Sequence, residues 1–252
     1  LDTAGPLTRS VADLAIAFSS IDPLIHEESV SFISRLRAAS LSDFNIGICD
    51  WYFDDCEPGI SEGVKKAIDE LTNKGLRTSS IKLPYLDETT KIFSKGGLHI
   101  GEFTNFINTE MSDFRKDLDP TVAIRIQEAE NFPASEHIKR IKAIERMSIE
   151  ANAAFGGFHA IVGPTLPMTP PKMLDIVDPD VHLSANFFCV RNTNTVSLLK
   201  LCAITIPVSL DNSKMPVGLQ IICPSGKEEI AIAIALAFEE TLGTSRQRIG
   251  IP

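Results

Sequence analysis

The chain has 252 residues, of which 44% are hydrophobic and 23% are charged, a composition typical of a globular domain with a sizeable core. Its formal net charge is -9 at pH 7, so we expect no nucleic-acid partner, because binding to phosphates needs clustered lysine and arginine. The strongly apolar stretches, such as residues 230–238, are shorter than the roughly 20 residues that cross a bilayer. We therefore expect no membrane partner.

Cysteine and histidine usage predicts the compartment and argues against bound metal. The five cysteines are an odd number without CxxC spacing, which fits neither a disulfide framework nor a zinc site. The five histidines show no metal-binding spacing either. We expect mostly buried thiols, a reducing cytoplasmic location, no metal and no cofactor. Because residues 1–6 resemble neither a natural start nor a secretory signal, we expect the chain to be part of a longer protein.

The first quarter of the chain predicts a helix and then a strand. Residues 8–20 carry apolar side chains at helical spacing, and Ser10 is placed to cap the helix at its N-terminus. Residues 44–49 alternate as a short strand does and lead into a polar and aromatic loop at residues 50–57. This loop is predicted either to line a site or to cross the surface.

The next elements complete a crossover unit. Residues 61–73 have an apolar face and a charged face, and Gly75 stands where such a helix would stop. In residues 76–83 apolar and polar side chains then alternate loosely, as in a strand. Strand, helix and strand in this order are the arrangement that builds parallel sheets.

A long helical region separates this unit from the next strand. Residues 91–155 predict three or so helices, with interruptions at residues 117–120 and 132–133. Residues 158–163 are apolar and run into a turn with two prolines at residues 164–167. The pattern predicts a buried strand, and the end of such a strand is where α/β folds place their sites.

The last part of the chain predicts a hairpin and a closing helix. Residues 203–209 and 217–223 are β-branched runs joined by a polar loop at residues 211–214. Residues 227–240 form an amphipathic helix that should cover the sheet. No internal domain boundary is evident, so we expect one α/β domain.

Five segments, in this order, resemble the amidase-signature family. They are Asp2-Thr3-Ala4-Gly5-Pro6-Leu7-Thr8-Arg9-Ser10-Val11-Ala12-Asp13, Gly163-Pro164-Thr165-Leu166-Pro167, Arg191-Asn192-Thr193, Cys202-Ala203-Ile204-Thr205-Ile206-Pro207 and Pro216-Val217-Gly218-Leu219-Gln220-Ile221-Ile222. Together they cover essentially the whole chain. The resemblance implies that residues 1–252 are a partial amidase domain, the C-terminal half of the amidase-signature fold, with a mixed, largely parallel sheet flanked by helices.

The resemblance also implies a reaction. In that family a serine nucleophile, a second serine in a cis peptide and a lysine cleave a carboxamide C–N bond through an acyl-enzyme. Those residues precede the first of the five segments, and this chain contains no glycine- and serine-rich nucleophile loop. We therefore assign no catalytic residue. We expect the complete protein to be an amidase that hydrolyses the C–N bond of small, linear amides, with this chain alone inactive.

Four residues are candidates for substrate binding. Thr165 lies in the turn after the buried strand, where its hydroxyl would either bind substrate or satisfy a neighbouring backbone group. Arg191, Asn192 and Thr193 match a family segment, and Arg191 would either contact substrate or bridge to the missing half. Ser197 and Leu199-Lys200 depart from the commonest family pattern and weaken any assignment of a particular substrate.

Two alternatives to an amidase half remain open. The chain is either a non-catalytic binding or regulatory subunit, or the A-type subunit of an amidotransferase. The expected macromolecular partner is the missing N-terminal half or a second copy in a homodimer. Expressed alone, the chain should aggregate, because half a sheet exposes a strand edge.

Overall fold

The computed structural model describes residues 3–130 and 132–250, and Asp2, the first residue of the first family segment, lies outside the described residues. The strands are β1 (Asn45–Ile48), β2 (Arg77–Ser80), β3 (Ala160–Pro164), β4 (Cys202–Leu210) and β5 (Pro216–Cys223). The helices are α1 (Val11–Ile21), α2 (Ser29–Leu36), α3 (Ile60–Asn73), α4 (Leu86–Ser94), α5 (His99–Glu110), α6 (Pro120–Glu130), α7 (Ala134–Ala154), α8 (Pro179–Cys189), α9 (Arg191–Leu198), α10 (Glu228–Leu242) and α11 (Ser245–Ile249).

The strands form one mixed sheet in the order β2-β1-β3-β5-β4. β1 pairs in parallel with β2 and with β3, whereas β5 is antiparallel to both β3 and β4. Four strands therefore run in one direction, and β5 alone runs in the other. This confirms the predicted α/β class with a mixed, largely parallel sheet.

Local signals placed several elements correctly. Ser10 caps α1, since its hydroxyl accepts a hydrogen bond of 3.1 Å from the Asp13 backbone N–H. Gly75 follows α3 with φ of 107°, a left-handed conformation that glycine adopts without steric cost. The crossover of β1, α3 and β2 and the hairpin of β4 and β5 are both present.

The helical region differs in detail from the prediction. α4 begins at Leu86, five residues before the predicted start, directly after Tyr85 in a left-handed conformation. The first predicted interruption is a 3-10 turn at Ser112–Asp117 that separates α5 from α6, and the second separates α6 from α7. Helices α2 and α11 had not been predicted, nor had α8, which buries none of its residues.

The core lies between the centre of the sheet and the helices around it. Every residue of β3 is buried, and α10 buries nine residues, because it packs along β4 and β5 and also meets α1, α2 and α3. All five cysteines are free thiols: Cys49 and Cys223 are buried, and the other three are half-buried.

Candidate functional site

A cavity of about 230 Å³ opens at the carboxyl end of β3. The turn after β3 forms one wall, the parts of β4 and β5 next to the hairpin turn form another, and the start of α3 closes one side. The lining residues are mostly apolar: Ile60, Thr165, Leu166, Met168, Pro170, Thr205, Pro207, Asp211, Pro216, Val217 and Gly218. The cavity is therefore at the strand end where the sequence predicted a site.

Two threonine hydroxyls meet in this cavity. Thr165 Oγ1 lies 3.1 Å from Thr205 Oγ1, and the Thr165 N–H donates a hydrogen bond of 2.9 Å to the Gly218 carbonyl. A Cβ on Gly218 would lie 2.6 Å from both Thr165 Oγ1 and Thr205 Cγ2. The glycine is thus required by the close approach of the two threonines on either side of it.

A groove of about 890 Å³ runs beside the cavity. It lies between residues 3–11, α9 and β4, and Thr193 is among its lining residues. Thr205, Pro207 and Pro216 line the cavity as well as the groove. Thr165 and Thr193, two of the predicted site residues, therefore face neighbouring depressions that share part of their walls.

Arg191 bridges two parts of this chain. Its Nη2 donates a hydrogen bond of 2.6 Å to the Asp54 carbonyl, and its guanidinium lies 5.2 Å from the centre of the Trp51 ring and 5.5 Å from that of Phe188. Only 12% of the side chain is exposed. These contacts hold the loop after β1 against the junction of α8 and α9.

Asn192 is fully buried and bonds to backbone carbonyls. Its Nδ2 donates hydrogen bonds of 2.7 Å to Pro164 and 3.1 Å to Tyr52. Next to it, the Tyr52 hydroxyl lies 3.2 Å from Thr195 Oγ1, and burial raises the pKa of Tyr52. Asn192 thus fastens α9 to the end of β3 and to the loop after β1, while its part in substrate binding stays a prediction.

Asp211 is the one carboxylate in the cavity lining, and its oxygens already have partners. Asp211 accepts hydrogen bonds from Thr169 Oγ1 at 2.6 Å and from the backbone N–H groups of Ser213 and Met215 at 2.8 and 2.9 Å. Burial acts to raise the pKa of Asp211, but these hydrogen bonds outweigh it and the pKa lies below its usual value. Asp211 therefore fixes the hairpin turn to the segment after β3.

The cavity offers two hydroxyls beside apolar walls, and the groove also has Arg9, Glu228 and Glu239 in its lining. Among the described residues, neither lining includes a histidine or a lysine, two of the bases that activate a hydroxyl nucleophile. Among residues 3–130 and 132–250, no cluster of three or more histidine, cysteine or acidic side chains is arranged to hold a metal. Within the same residues, no helix has the length and apolar character needed to span a membrane.

Three buried side chains near these elements carry polar atoms without a hydrogen-bond partner. They are Asn194 in α9, Ser209 in β4 and Gln220 in β5. Sequence reasoning had missed Thr205, Gly218 and Asp211 as parts of the site, although all three lie in or beside family segments. Their role depends on which residues face each other across β3, β5 and β4, which local patterns do not reveal.

These features define a mixed α/β sheet with a cavity at the carboxyl end of β3. A sequence model of the Amidase family matches residues 1–231, and the chain therefore belongs to the amidase family. This confirms the family that the five segments predicted.

Similar proteins support the same assignment. The chain is 33% identical to 2-amino-5-chloromuconic acid deaminase of Comamonas testosteroni, over 100% of this chain and 54% of that protein. It is 24% identical to the A-type subunit of the glutamyl-tRNA(Gln) amidotransferase of Agathobacter rectalis, over 99% of this chain and 55% of that protein. The solved structure of 6-aminohexanoate cyclic dimer hydrolase shares the fold with a TM-score of 0.76 at 17% identity, over 93% of this chain and 54% of that one. The chain thus spans about half the length of the relatives it matches.

Proposed function

We propose that this chain is the substrate-pocket half of an amide hydrolase whose catalytic serines and lysine lie upstream of it in the complete protein. The observation that carries the proposal is the cavity at the carboxyl end of β3, with Thr165 and Thr205 paired at its wall. In an α/β sheet this position is a common binding site. The chain alone is inactive in this proposal.

The β4 edge of the sheet supports an interface with an upstream half. β4 is nine residues long, and among the described residues it pairs only with β5. Its Ala203 and Thr205 are exposed and line the groove. An exposed, long and largely apolar edge strand is a template for further pairing. The upstream half would continue the sheet here and bring its catalytic residues over the cavity.

The character of the cavity supports a small, uncharged amide as substrate. Its walls are leucine, methionine, isoleucine, valine and proline, and its polar side chains are Asp211 and the paired hydroxyls of Thr165 and Thr205. Such hydroxyls donate to a carbonyl and accept from an amide N–H without the desolvation cost of a charge. The similarity to a deaminase favours hydrolytic C–N cleavage over the transfer reaction of an amidotransferase.

The test uses the complete protein and a panel of aliphatic and aromatic carboxamides, with ammonia release as the readout. We expect ammonia from at least one amide, labelling by a fluorophosphonate probe that reacts with active serines, and no activity from residues 1–252 alone. The proposal fails if the folded complete protein neither takes the probe nor releases ammonia. Ammonia transfer only in the presence of charged tRNA would instead identify a component of an amidotransferase.

The pocket itself is tested by Thr165→Val, which keeps the side-chain shape and removes the hydroxyl. We expect KM for the preferred amide to rise about 5- to 30-fold, since one hydrogen bond of about 1–2 kcal/mol is lost. The matched control is Thr78→Val in β2, at the opposite edge of the sheet, which should leave KM unchanged. Equal KM values for both variants would remove Thr165 from the substrate site.

A further inference from the structure

Two cysteines face each other at one end of the hairpin. Cys202 is the first residue of β4, Cys223 is the last residue of β5, and the two are direct partners in the antiparallel ladder. Partners of this kind have Cα atoms about 4.5 to 5.5 Å apart, inside the range of about 4.4 to 6.8 Å that a disulfide spans. The Cys202 thiol also donates hydrogen bonds to the carbonyls of Cys223 and Pro224, at 3.8 and 3.3 Å, so its sulfur lies beside the end of β5. A bond between the two cysteines needs no large movement of the backbone.

The two thiols differ in access. Cys202 is half-buried and lines the groove beside β4, whereas Cys223 is fully buried. A small oxidant in the groove therefore reaches Cys202 first.

The thiols also differ in acidity. The neighbouring Cys223 thiol lowers the pKa of Cys202, although burial and the nearby Glu228 carboxylate oppose this shift. The Cys202 thiol, together with burial, raises the pKa of Cys223. Because the thiolate is the form that reacts with peroxides, these directions agree with the difference in access, which makes Cys202 the first thiol to meet an oxidant.

We propose that Cys202 and Cys223 form an oxidisable dithiol, in which Cys202 reacts with hydrogen peroxide and Cys223 resolves the product into a disulfide. In the first step the Cys202 thiolate attacks one peroxide oxygen. An S–O bond forms, the O–O bond breaks, and hydroxide leaves. The hydroxide combines with the proton that Cys202 lost on becoming a thiolate, and water is released. The product is a sulfenic acid.

In the second step Cys223 attacks the sulfenic sulfur. An S–S bond forms, the S–O bond breaks, and the hydroxyl leaves with the Cys223 proton as a second water. The pair of thiols loses two electrons, and the peroxide gains them. The disulfide joins β4 and β5 at the end of the hairpin that is opposite the turn fixed by Asp211.

The first measurement needs no variant. The native protein is treated with increasing hydrogen peroxide, its remaining thiols are alkylated before unfolding, and its peptides are mapped by mass spectrometry. We expect a cross-linked pair of peptides containing Cys202 and Cys223, lighter by two hydrogens and restored by dithiothreitol. Cys49, which is buried, and Cys189, which lies in α8, serve as internal controls. Neither should appear in a cross-linked peptide, whether or not its thiol is alkylated.

Substitutions test the order of the two steps. Cys223→Ser should leave Cys202 as a sulfenic acid that dimedone traps, and Cys202→Ser should give neither the adduct nor the cross-link. The proposal is overturned if Cys202 is oxidised without a link to Cys223, or if the linked cysteines belong to other pairs or to two molecules. None of these readouts depends on amidase activity, so they stand apart from the proposed function.

Discussion

The two edges of the sheet are built very differently. β2 has four residues, of which Arg77, Ser79 and Ser80 are exposed and none is strongly apolar. β4 has nine residues, mostly β-branched or apolar. Short polar strands are how proteins close a sheet edge against unwanted pairing. β2 is such a closed edge, whereas β4 is protected only in its second half, where it contains Pro207 and where Arg248 of α11 bonds to the Val208 carbonyl. The first half of β4, with exposed Ala203 and Thr205, is open.

The difference indicates where this chain would meet the proposed upstream half. The cavity and the groove both border β4, and neither borders β2. The β4 side is therefore the side on which we expect the upstream half and the substrate to complete the structure.

The largest effect is expected where α9 is fastened beside the groove. Asn192→Ala removes two hydrogen bonds to buried carbonyls, and we expect it to lower the free energy of unfolding by about 2–4 kcal/mol. Urea denaturation of the complete protein measures this loss. The control is Asn45→Ala in β1, which loses one exposed hydrogen bond of 3.2 Å and should cost less than about 1 kcal/mol. Similar losses for the two variants would contradict the role given to Asn192.

The next effect concerns the threonine pair. Gly218→Ala places a methyl group 2.6 Å from atoms of Thr165 and Thr205, so we expect a loss of about 1–3 kcal/mol by overpacking, together with weaker substrate binding. Gly157→Ala is the matched control, because its new methyl group meets nothing within 4 Å and should change stability by less than about 1 kcal/mol. Thermal unfolding and KM report the two consequences separately. If Gly218→Ala changes neither the stability nor KM, the two threonines must be able to move apart at little cost.

A smaller, pH-dependent effect is expected at the ion pair that holds α11 beside β4. Arg248 donates to Glu70 at 2.6 and 2.9 Å and to the Val208 carbonyl of β4 at 2.7 Å. The hydrogen bonds from Arg248 hold the pKa of Glu70 below its ordinary value of 4.5. The stabilisation is thus present above that value and is lost as the pH falls through the lowered pKa.

Glu70→Gln should therefore cost about 0.5–1 kcal/mol at pH 7, a modest figure because Glu70 is 38% exposed. In urea titrations at a series of acidic pH values, the difference between variant and parent should shrink as the pH falls below 4.5 and through the lowered pKa of Glu70. Glu240→Gln, whose contact with Arg37 is 3.6 Å long and exposed, is the control and should be nearly neutral. A cost of Glu70→Gln that stays constant with pH would show that its charge is not the cause.

The smallest effect on stability, and the sharpest comparison of the edges, comes from one lysine at each edge. Ala203→Lys in β4 and Ser79→Lys in β2 both replace exposed small residues, so each should change stability by less than about 0.5 kcal/mol. In residues 1–252 expressed alone, Ala203→Lys should raise the monomer fraction in size-exclusion chromatography, because an edge lysine blocks pairing. Ser79→Lys should not. In the complete protein, only Ala203→Lys should reduce activity.

Local patterns predicted those parts of the fold that neighbours in sequence determine. The β4–β5 hairpin, the stop at Gly75 and the cap at Ser10 each depend on a few adjacent residues. α8 escaped prediction because no apolar stripe marks it and none of its residues is buried. The pairing of β1 with β3 escaped as well, since β-register across a long separation leaves no local trace.

Local sequence likewise predicted some residues of the candidate site and missed others. Thr165 was recognisable from its place between prolines after an apolar run, and its turn does form a wall of the cavity. Thr205 and Gly218 become part of the site only through the alignment of three strands. Asn192 and Arg191 came from family resemblance. The buried hydrogen bonds of Asn192 and the bond from Arg191 to the Asp54 carbonyl could not be predicted from the segment itself.

The pairing of β1 with β3 also bears on how the chain folds. Ile46, Gly47 and Ile48 align with Ala160, Ile161 and Val162, and helices α4 to α7 lie between the two strands in sequence. Closing so long a loop has a large entropic cost, whereas the β4–β5 hairpin closes over its own short turn. We expect the hairpin to form early and the centre of the sheet to form last, so that the joining of β3 to β1 limits the rate of folding.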